Sequence, residues 1–235
     1  MKKLFDIVFG HNWFAIFYFN FKMLPFYQAI KLPFDFNGSI RFGDLSGKVI
    51  LTSATIGRAM VRVGGGDSDF LGKAETVVKI SGTFEVGNKV SLGAGSSLYI
   101  REGAIVKMSD DIIIGARTRI YCVDRIDIGN ETRFSWECQV FDTNFHYTED
   151  ISSHTLSVLH SPITIGAHSW IGNRVSIMKG TVLPDYSIIA SNSMANKDYS
   201  ANGSYCLYGG SPVKIIKQGV RRIFQKEIKE RNLHE

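Results

Sequence analysis

The chain is short of the residues that mark most specialised protein classes. It has three cysteines, Cys122, Cys138 and Cys206, an odd number with neither the paired spacing of a zinc site nor the two-residue gap of a redox motif, so reduced thiols in a cytoplasmic setting are expected. Only five prolines occur in 235 residues, and no Pro/Ser-rich or low-complexity stretch divides them, which favours one capped domain over two linked ones. Long apolar runs are missing: Trp13 to Phe19 is too short to span a bilayer, and no small-residue cleavage site follows it. Gly64-Gly65-Gly66 precedes no helical pattern, so the Gly-rich turn of a nucleotide-binding α/β domain is not found. The net charge of +5 suits an anionic ligand, phosphates or an acidic glycan; with no base-reading motif beside it, no nucleic acid partner is expected.

What the chain does have is a beat of six. Ile165, Ile171, Ile177, Leu183 and Ile189 are spaced by six, and the fifth position of the hexads is Ser169, Val175, Thr181, Ser187 or Ser193. Neither a strand nor a helix repeats with that period. A β-solenoid does: short strands turn a corner at each hexad, three hexads close a triangular coil of about eighteen residues, and coils stack at about 4.8 Å. The aliphatic residue points inward and the small fifth residue packs at the corner. Gly166, Gly172, Asn173, Gly180 and Asp185 then fall at bends, where positive φ is cheap for such residues. The beat extends backwards through Ile80, Val86, Leu92 and Leu98, through Ile114, Ile120 and Ile126, and after a two-residue slip through Ile128, Phe134 and Val140.

These spacings predict a β-helix over residues 45–205 with about eight coils, an aromatic N-terminal cap segment over 1–44 and a C-terminal turn and helix over 206–235. Between Val140 and Ile163 no hexad can be written, so residues 141–162 are expected to protrude as a loop. Long loops on a regular scaffold are often functional.

The run IGAHSWIGNRVSIMKGTVLPDYSIIASNSMANKD (165–198), followed by GGSPVKIIK (209–217) and preceded by FDTNFHYTED (141–150), resembles the hexapeptide-repeat acyltransferases. Within them it is most similar to the sugar O-acetyltransferases of the galactoside, maltose and surface-polysaccharide type. The resemblance covers about residues 45–217, and departs from the family where Ser191-Asn192 replaces the usual Ala-Gly. It implies an all-β fold, a left-handed parallel β-helix. It also implies acetyl-CoA as co-substrate without a metal, a sugar or glycan acceptor in capsule, O-antigen or exopolysaccharide synthesis, and a homotrimer with active sites between subunits.

Acetyl transfer to a hydroxyl needs a base that works near neutrality, and imidazole is the side chain that supplies one without special tuning. His146 stands where the chain leaves the coil, among Asp142, Asn144 and Glu149, and matches the position of the family's catalytic His. His168 lies inside a regular hexad and reads as a surface residue; His154 and His160 are in the loop, and His11 and His234 in the terminal segments. Asp142 is a candidate to orient the imidazole or bind the sugar, and Asn144 to donate to a sugar hydroxyl; each reads equally as a turn residue bonding its own backbone. Trp136 and Trp170 are candidates to stack on a sugar ring or line the pantetheine channel, or to pack between subunits. By resemblance, coenzyme A runs beside Gly172, Asn173, Ala190 and Ser191, with Lys197 and Lys214 toward its phosphates.

At the C-terminal end, Ser211-Pro212 is a plausible helix start, with Val213, Ile215, Ile216, Val220 and Ile223 as the apolar side and Lys217, Arg221, Arg222, Lys226 and Lys229 as the exposed one. At the other end, residues 1–36 are dense in aromatics interrupted by Asp6, Asn12, Asn20 and Lys22. That segment reads either as a cap on the first coil or a neighbouring subunit, or as a peripheral contact with the inner face of a membrane. Other functions fit the hexads less well. The γ-type carbonic anhydrases need a three-histidine spacing that His146, His154, His160 and His168 do not reproduce. An N-acetyltransferase of an amino sugar or a xenobiotic acetyltransferase shares the chemistry, whereas a non-catalytic scaffold has no reason to combine a loop His with the Gly-Ser-Pro turn.

Overall fold

The computed structural model describes residues 11–66 and 71–224. They form a triangular β-helix whose three faces are sheets stacked coil on coil, almost entirely in parallel. The first face runs from Phe34–Phe36 through Val61–Gly65, Val90–Gly93, Ile113–Ile114, Arg133–Phe134, Trp170–Ile171 and Ile188–Ile189 to Cys206–Gly210. The second has seven strands, from Ile40–Phe42 to Met194–Ala195, and the third six, from Lys48–Leu51 to Val182–Leu183. Strand pairing therefore starts at Phe34, ahead of the expected boundary at residue 45. The first coil escapes the hexad pattern because its connections are longer than a hexad turn, as between Leu51 and Val61.

Inward residues stack in register. Ile114, Phe134, Ile171, Ile189 and Tyr208 form the ladder of the first face. Ile120, Val140, Ile177 and Ala195 form that of the second, and Met108, Ile128, Ile165 and Leu183 that of the third. All of them are buried, as are the fifth-position residues Ser169, Val175, Thr181, Ser187 and Ser193. Each large aliphatic side chain on a ladder contributes about 1.5–3 kcal/mol through burial. Coils before the loop exceed eighteen residues because their strands are longer: Arg125–Ile128 buries both Ile126 and Ile128. The two-residue slip in the sequence is thus one strand with two inward residues, and the three faces carry eight, seven and six parallel strands against the eight or so coils expected.

The corners correct another expectation. Gly180 has a positive φ, but Gly166, Gly172, Asn173 and Asp185 do not. The left-handed conformation is held instead by Arg117, Glu137, Arg174 and Asn192 at one corner and by Asp111, Glu131, His168 and Tyr186 at another. Each of these donates its N–H to a carbonyl of the preceding coil, Asn192 to Asn173 and Tyr186 to Ala167 for example, which offsets the cost of the conformation. Gly166 and Gly172 are required by close stacking: a Cβ on them would stand 2.4 Å from the Asp185 nitrogen and 2.7 Å from the Ser191 nitrogen.

Each end of the first face carries an added element. Asn12 caps the helix Trp13–Met23 by accepting from the Ala15 N–H, and Phe19 packs its ring 4.8 Å from Phe34 and 5.1 Å from Phe36. Asn20, fully buried, donates to the Phe34 carbonyl at 2.8 Å and accepts from the Phe34 N–H at 3.1 Å, while the Asn12 N–H reaches the Phe36 carbonyl at 2.7 Å. The outer edge of the first strand is thereby satisfied. At the other end, the expected helix over Val213 to Ile223 is not formed. Val213–Gln218 is a strand antiparallel to Cys206–Gly210, turning at Ser211-Pro212. The β-branched Val213, Ile215 and Ile216 beside an open sheet edge favour that pairing over a helix. Lys226 and Lys229 lie outside the described residues. Among those residues, no helix is long and apolar enough to cross a membrane.

Candidate active site

The long loop leaves at the corner between the second and third faces, after Gln139–Phe141, and returns at Ile163–Ile165. Its base is zipped. The Ser161 N–H donates to the Asp142 carbonyl at 2.9 Å, the Asn144 N–H donates to the Leu159 carbonyl at 3.0 Å, and Thr143 bridges His160. Further out, Glu149–Asp150 pairs with Thr155–Leu156. Asp142 fits neither of its expected roles. It is buried, and its carboxylate accepts from the N–H groups of Val123 at 2.9 Å and Asp124 at 2.8 Å and from the Cys122 thiol at 3.2 Å. Burial pushes the Asp142 carboxyl above the usual range, opposed by those backbone donors. It is a corner-closing residue beneath the loop.

His146 is exposed, on the loop just beyond the zipped base. Its neighbour Phe145 has a φ of 63° and donates its N–H to Thr143 Oγ1 at 3.0 Å. The Phe145 ring lies 5.0 Å from Tyr121 and 5.8 Å from Phe141, and Tyr121 stacks on Tyr99 at 5.8 Å. These rings form an aromatic wall beside His146 that sequence reading missed. The signal was present in the outward positions: Tyr99, Tyr121 and Phe141 share one register on successive coils. Asn144 lines a groove of about 240 Å³ with Met178, Lys179, Met194 and Asn196. Lys179 Nζ donates to the Val158 carbonyl and so holds the returning strand of the loop.

The same edge continues past Asn196 to a groove of about 280 Å³ lined by Lys197, Asp198, Tyr199, Asn202 and Lys214, with two cations and one carboxylate. The two lysines expected to meet phosphates are thus brought together. Gly172, Asn173, Ala190 and Ser191 form a second cluster at the corner between the first and second faces, where Ser191 Oγ donates to Asn173 Oδ1 and the Ala190 N–H donates to the Tyr208 carbonyl at 2.8 Å. Trp136 sits half-buried at that corner one coil earlier. The strands of the second face lie between this cluster and His146, so a single chain does not join them.

No family model matches the chain. A protein of Mycobacterium tuberculosis named as a probable acetyltransferase is 27% identical over 155 residues, which are 63% of this chain and 49% of that relative. The chain therefore spans about half the length of that relative. A protein of Escherichia coli K12, named a putative lipopolysaccharide biosynthesis O-acetyl transferase, is 22% identical over 149 residues, 60% of this chain and 74% of its own. Among solved structures, the polysialic acid O-acetyltransferase OatWY superposes with a TM-score of 0.57 at 16% identity, covering 82% of this chain and 96% of the other. The two chains share the stacked β-helical fold.

Set on a hexapeptide-repeat coil, the remaining candidates take clear places. Trp170 points outward from the first face, donates its indole N–H to Ser135 Oγ at 3.3 Å and lies under the Arg222 guanidinium at 5.1 Å. It faces the C-terminal segment and not the lysine groove. His168 stands between Glu131, 3.2 Å from its Nδ1, and Tyr186, stacked at 4.5 Å, in the surface setting expected of a hexad corner. Among the described residues, no group of three His, Cys, Asp or Glu is placed to hold a metal ion. The cysteines are free and buried; burial pushes the Cys138 thiol up to about 11, and that of Cys122 higher still.

Proposed function

We propose that the chain is an acetyl-CoA-dependent O-acetyltransferase that modifies a sugar hydroxyl of a surface polysaccharide or its precursor, with His146 as general base. The observation that carries this reading is the loop-bearing edge. An exposed imidazole, on a loop whose base is zipped and whose preceding residue Phe145 packs against Tyr121, stands on the edge that leads to Lys197 and Lys214. In the reaction, His146 takes the acceptor O–H proton as the oxygen attacks the thioester carbonyl. The C–O bond forms, the C–S bond breaks, and the proton leaves on the thiol sulfur. A backbone N–H serves the tetrahedral oxyanion, and no covalent enzyme intermediate is needed.

Lys197 and Lys214 suit the phosphates of coenzyme A, and the small residues Gly172, Asn173, Ala190 and Ser191 let a pantetheine arm approach the main chain. Because His146 and that cluster lie on different edges, the working site is between copies, with the loop of one chain set against the small-residue edge of the next in a homotrimer. Use of acetyl-CoA supports a cytoplasmic setting. The aromatic wall suits the apolar faces of a sugar ring.

The test is thiol release from acetyl-CoA with a panel of sugars, polysaccharides and their precursors, together with the native mass. Acceptor-dependent release by a particle of three chains is expected. Release only with an amine acceptor would move the reading to N-acetylation, and failure to bind coenzyme A at all would sink it in favour of a scaffold.

A further inference from the structure

Helix Trp13–Met23 is apolar on two opposite sides. Ile16, Phe19, Asn20 and Met23 recur at helical spacing and are buried on the first coil. Phe14, Phe17, Tyr18 and Phe21 recur at the same spacing, about 200° away around the axis, and all four are exposed, Phe14 by 79%. Capping the solenoid requires only the first stripe. The second is continued by Phe26 and Tyr27 of the short helix Phe26–Ala29 and by Ile30, with Phe26 exposed by 73%. Phe14 stacks on Tyr18 and Phe21 lies beside Phe26, each pair 6.0 Å apart, so the rings form one patch.

Within the segment itself the charge has one sign, while the first coil beside it carries both, Arg41 pairing with Glu75 at 2.6 Å next to Phe42, whose ring meets Tyr18. From His11 to Pro33 the sequence contains no Asp or Glu, while Lys22 and Lys31 are exposed. The nearest carboxylate in the chain beyond that stretch, Asp35, is buried 2.8 Å from His11. Aromatic rings with lysines and no carboxylate match the headgroup layer of an anionic bilayer, where rings settle at the interface and ammonium groups reach the phosphates. A second copy of the same face would bring cations together with no anion to pair them.

We propose that the exposed aromatic face of residues 13–31 docks the protein on the surface of an anionic lipid bilayer. The contact is interfacial, since no described helix is long and apolar enough to cross. The cap and membrane roles of this segment are therefore compatible, one for each side of the same helix.

The test is flotation of the full chain with phosphatidylcholine vesicles made with and without phosphatidylglycerol. Binding is expected to the phosphatidylglycerol vesicles, weakened by added salt. The variant F14S/F17S/F21S should lower the bound fraction by about tenfold or more, with melting temperature and native mass unchanged, because only exposed rings are removed. No flotation of the wild type, or equal flotation of the variant, overturns the proposal. A smaller native mass in the variant also overturns it, assigning the face to contact between copies. The assay contains no acyl donor, so its failure is separate from any failure of the acetyl-transfer reading.

Discussion

The two edges of the second face are built by opposite means. The edge at Gly172, Asn173, Ala190 and Ser191 is regular, its coils so close that the glycine leaves no room for a methyl group. The edge at Asp142 to Ser161 is interrupted, and the interruption is ordered by hydrogen bonds: a buried carboxylate below, a zipped base, and a lysine holding the return. Close packing builds an invariant surface against which a long ligand can lie. Hydrogen-bonded irregularity builds a projecting group, here His146. The proposed transfer needs both, and this scaffold keeps them apart on one chain.

That contrast can be broken at several points. If His146 is the general base proposed, His146→Ala should lower acceptor-dependent turnover by about 10² or more, with the melting temperature unchanged because the side chain is exposed. Gly172→Val should act in reverse, costing about 1–3 kcal/mol by forcing a side chain against the Ser191 backbone; denaturant unfolding measures it. Asp142→Ala should also cost about 1–3 kcal/mol, by leaving the Val123 and Asp124 N–H groups without their acceptor. If Asp142 instead oriented the imidazole, that variant would lose turnover at full stability. Lys197→Ala combined with Lys214→Ala should raise the KM for acetyl-CoA by about tenfold and flatten its salt dependence, with kcat little changed.

The smallest effect concerns the loop tip. Hydrogen bonds from Ser152 and Ser153 hold the Asp150 carboxyl down at about 2. A carboxylate with a depressed pKa supports the folded form above its unfolded value and loses that support as pH falls toward 2. The protection of the Ser152 and Ser153 amides, taken relative to the free-peptide exchange rate at each pH, should therefore fall between about pH 4 and pH 2, ahead of that of the amides at the zipped base, whose acceptors are backbone carbonyls. A uniform fall across the loop would contradict this.

What was legible in the sequence follows from coil length. After Ile163 the strands are short and one inward residue falls every six positions, so periodicity showed the fold directly. Before the loop, strands such as Val106 to Met108 and Ile126 to Ile128 bury two residues each, which lengthens the coil and breaks the beat. The loop that carries His146 was legible because a break in a regular pattern is itself a signal. Asp142 misled because proximity in sequence to His146 suggested partnership, whereas its partners are the N–H groups of an earlier coil. Over Val213–Gln218 a strand replaces the expected helix for a related reason: Val213, Ile216, Val220 and Ile223 mimic helical spacing, but an open strand edge at Cys206–Gly210 decided the outcome, and residues 225–235 lie outside the described residues. The aromatic wall was invisible because its members become neighbours only through register across coils.

Stacked coils also make the molecule a ruler. The strand that carries the loop, Gln139–Phe141, is the fifth on its face, four steps from Ile40–Phe42. At about 4.8 Å per step, the base of the loop that bears His146 is raised about 19 Å above the first strand, and the capped helix lies at that lower end. For a molecule resting on a lipid surface by that helix, this height is the stand-off that an acceptor must bridge. Adding or deleting one whole coil between them would change the stand-off by a single step while leaving both ends and the loop as they are.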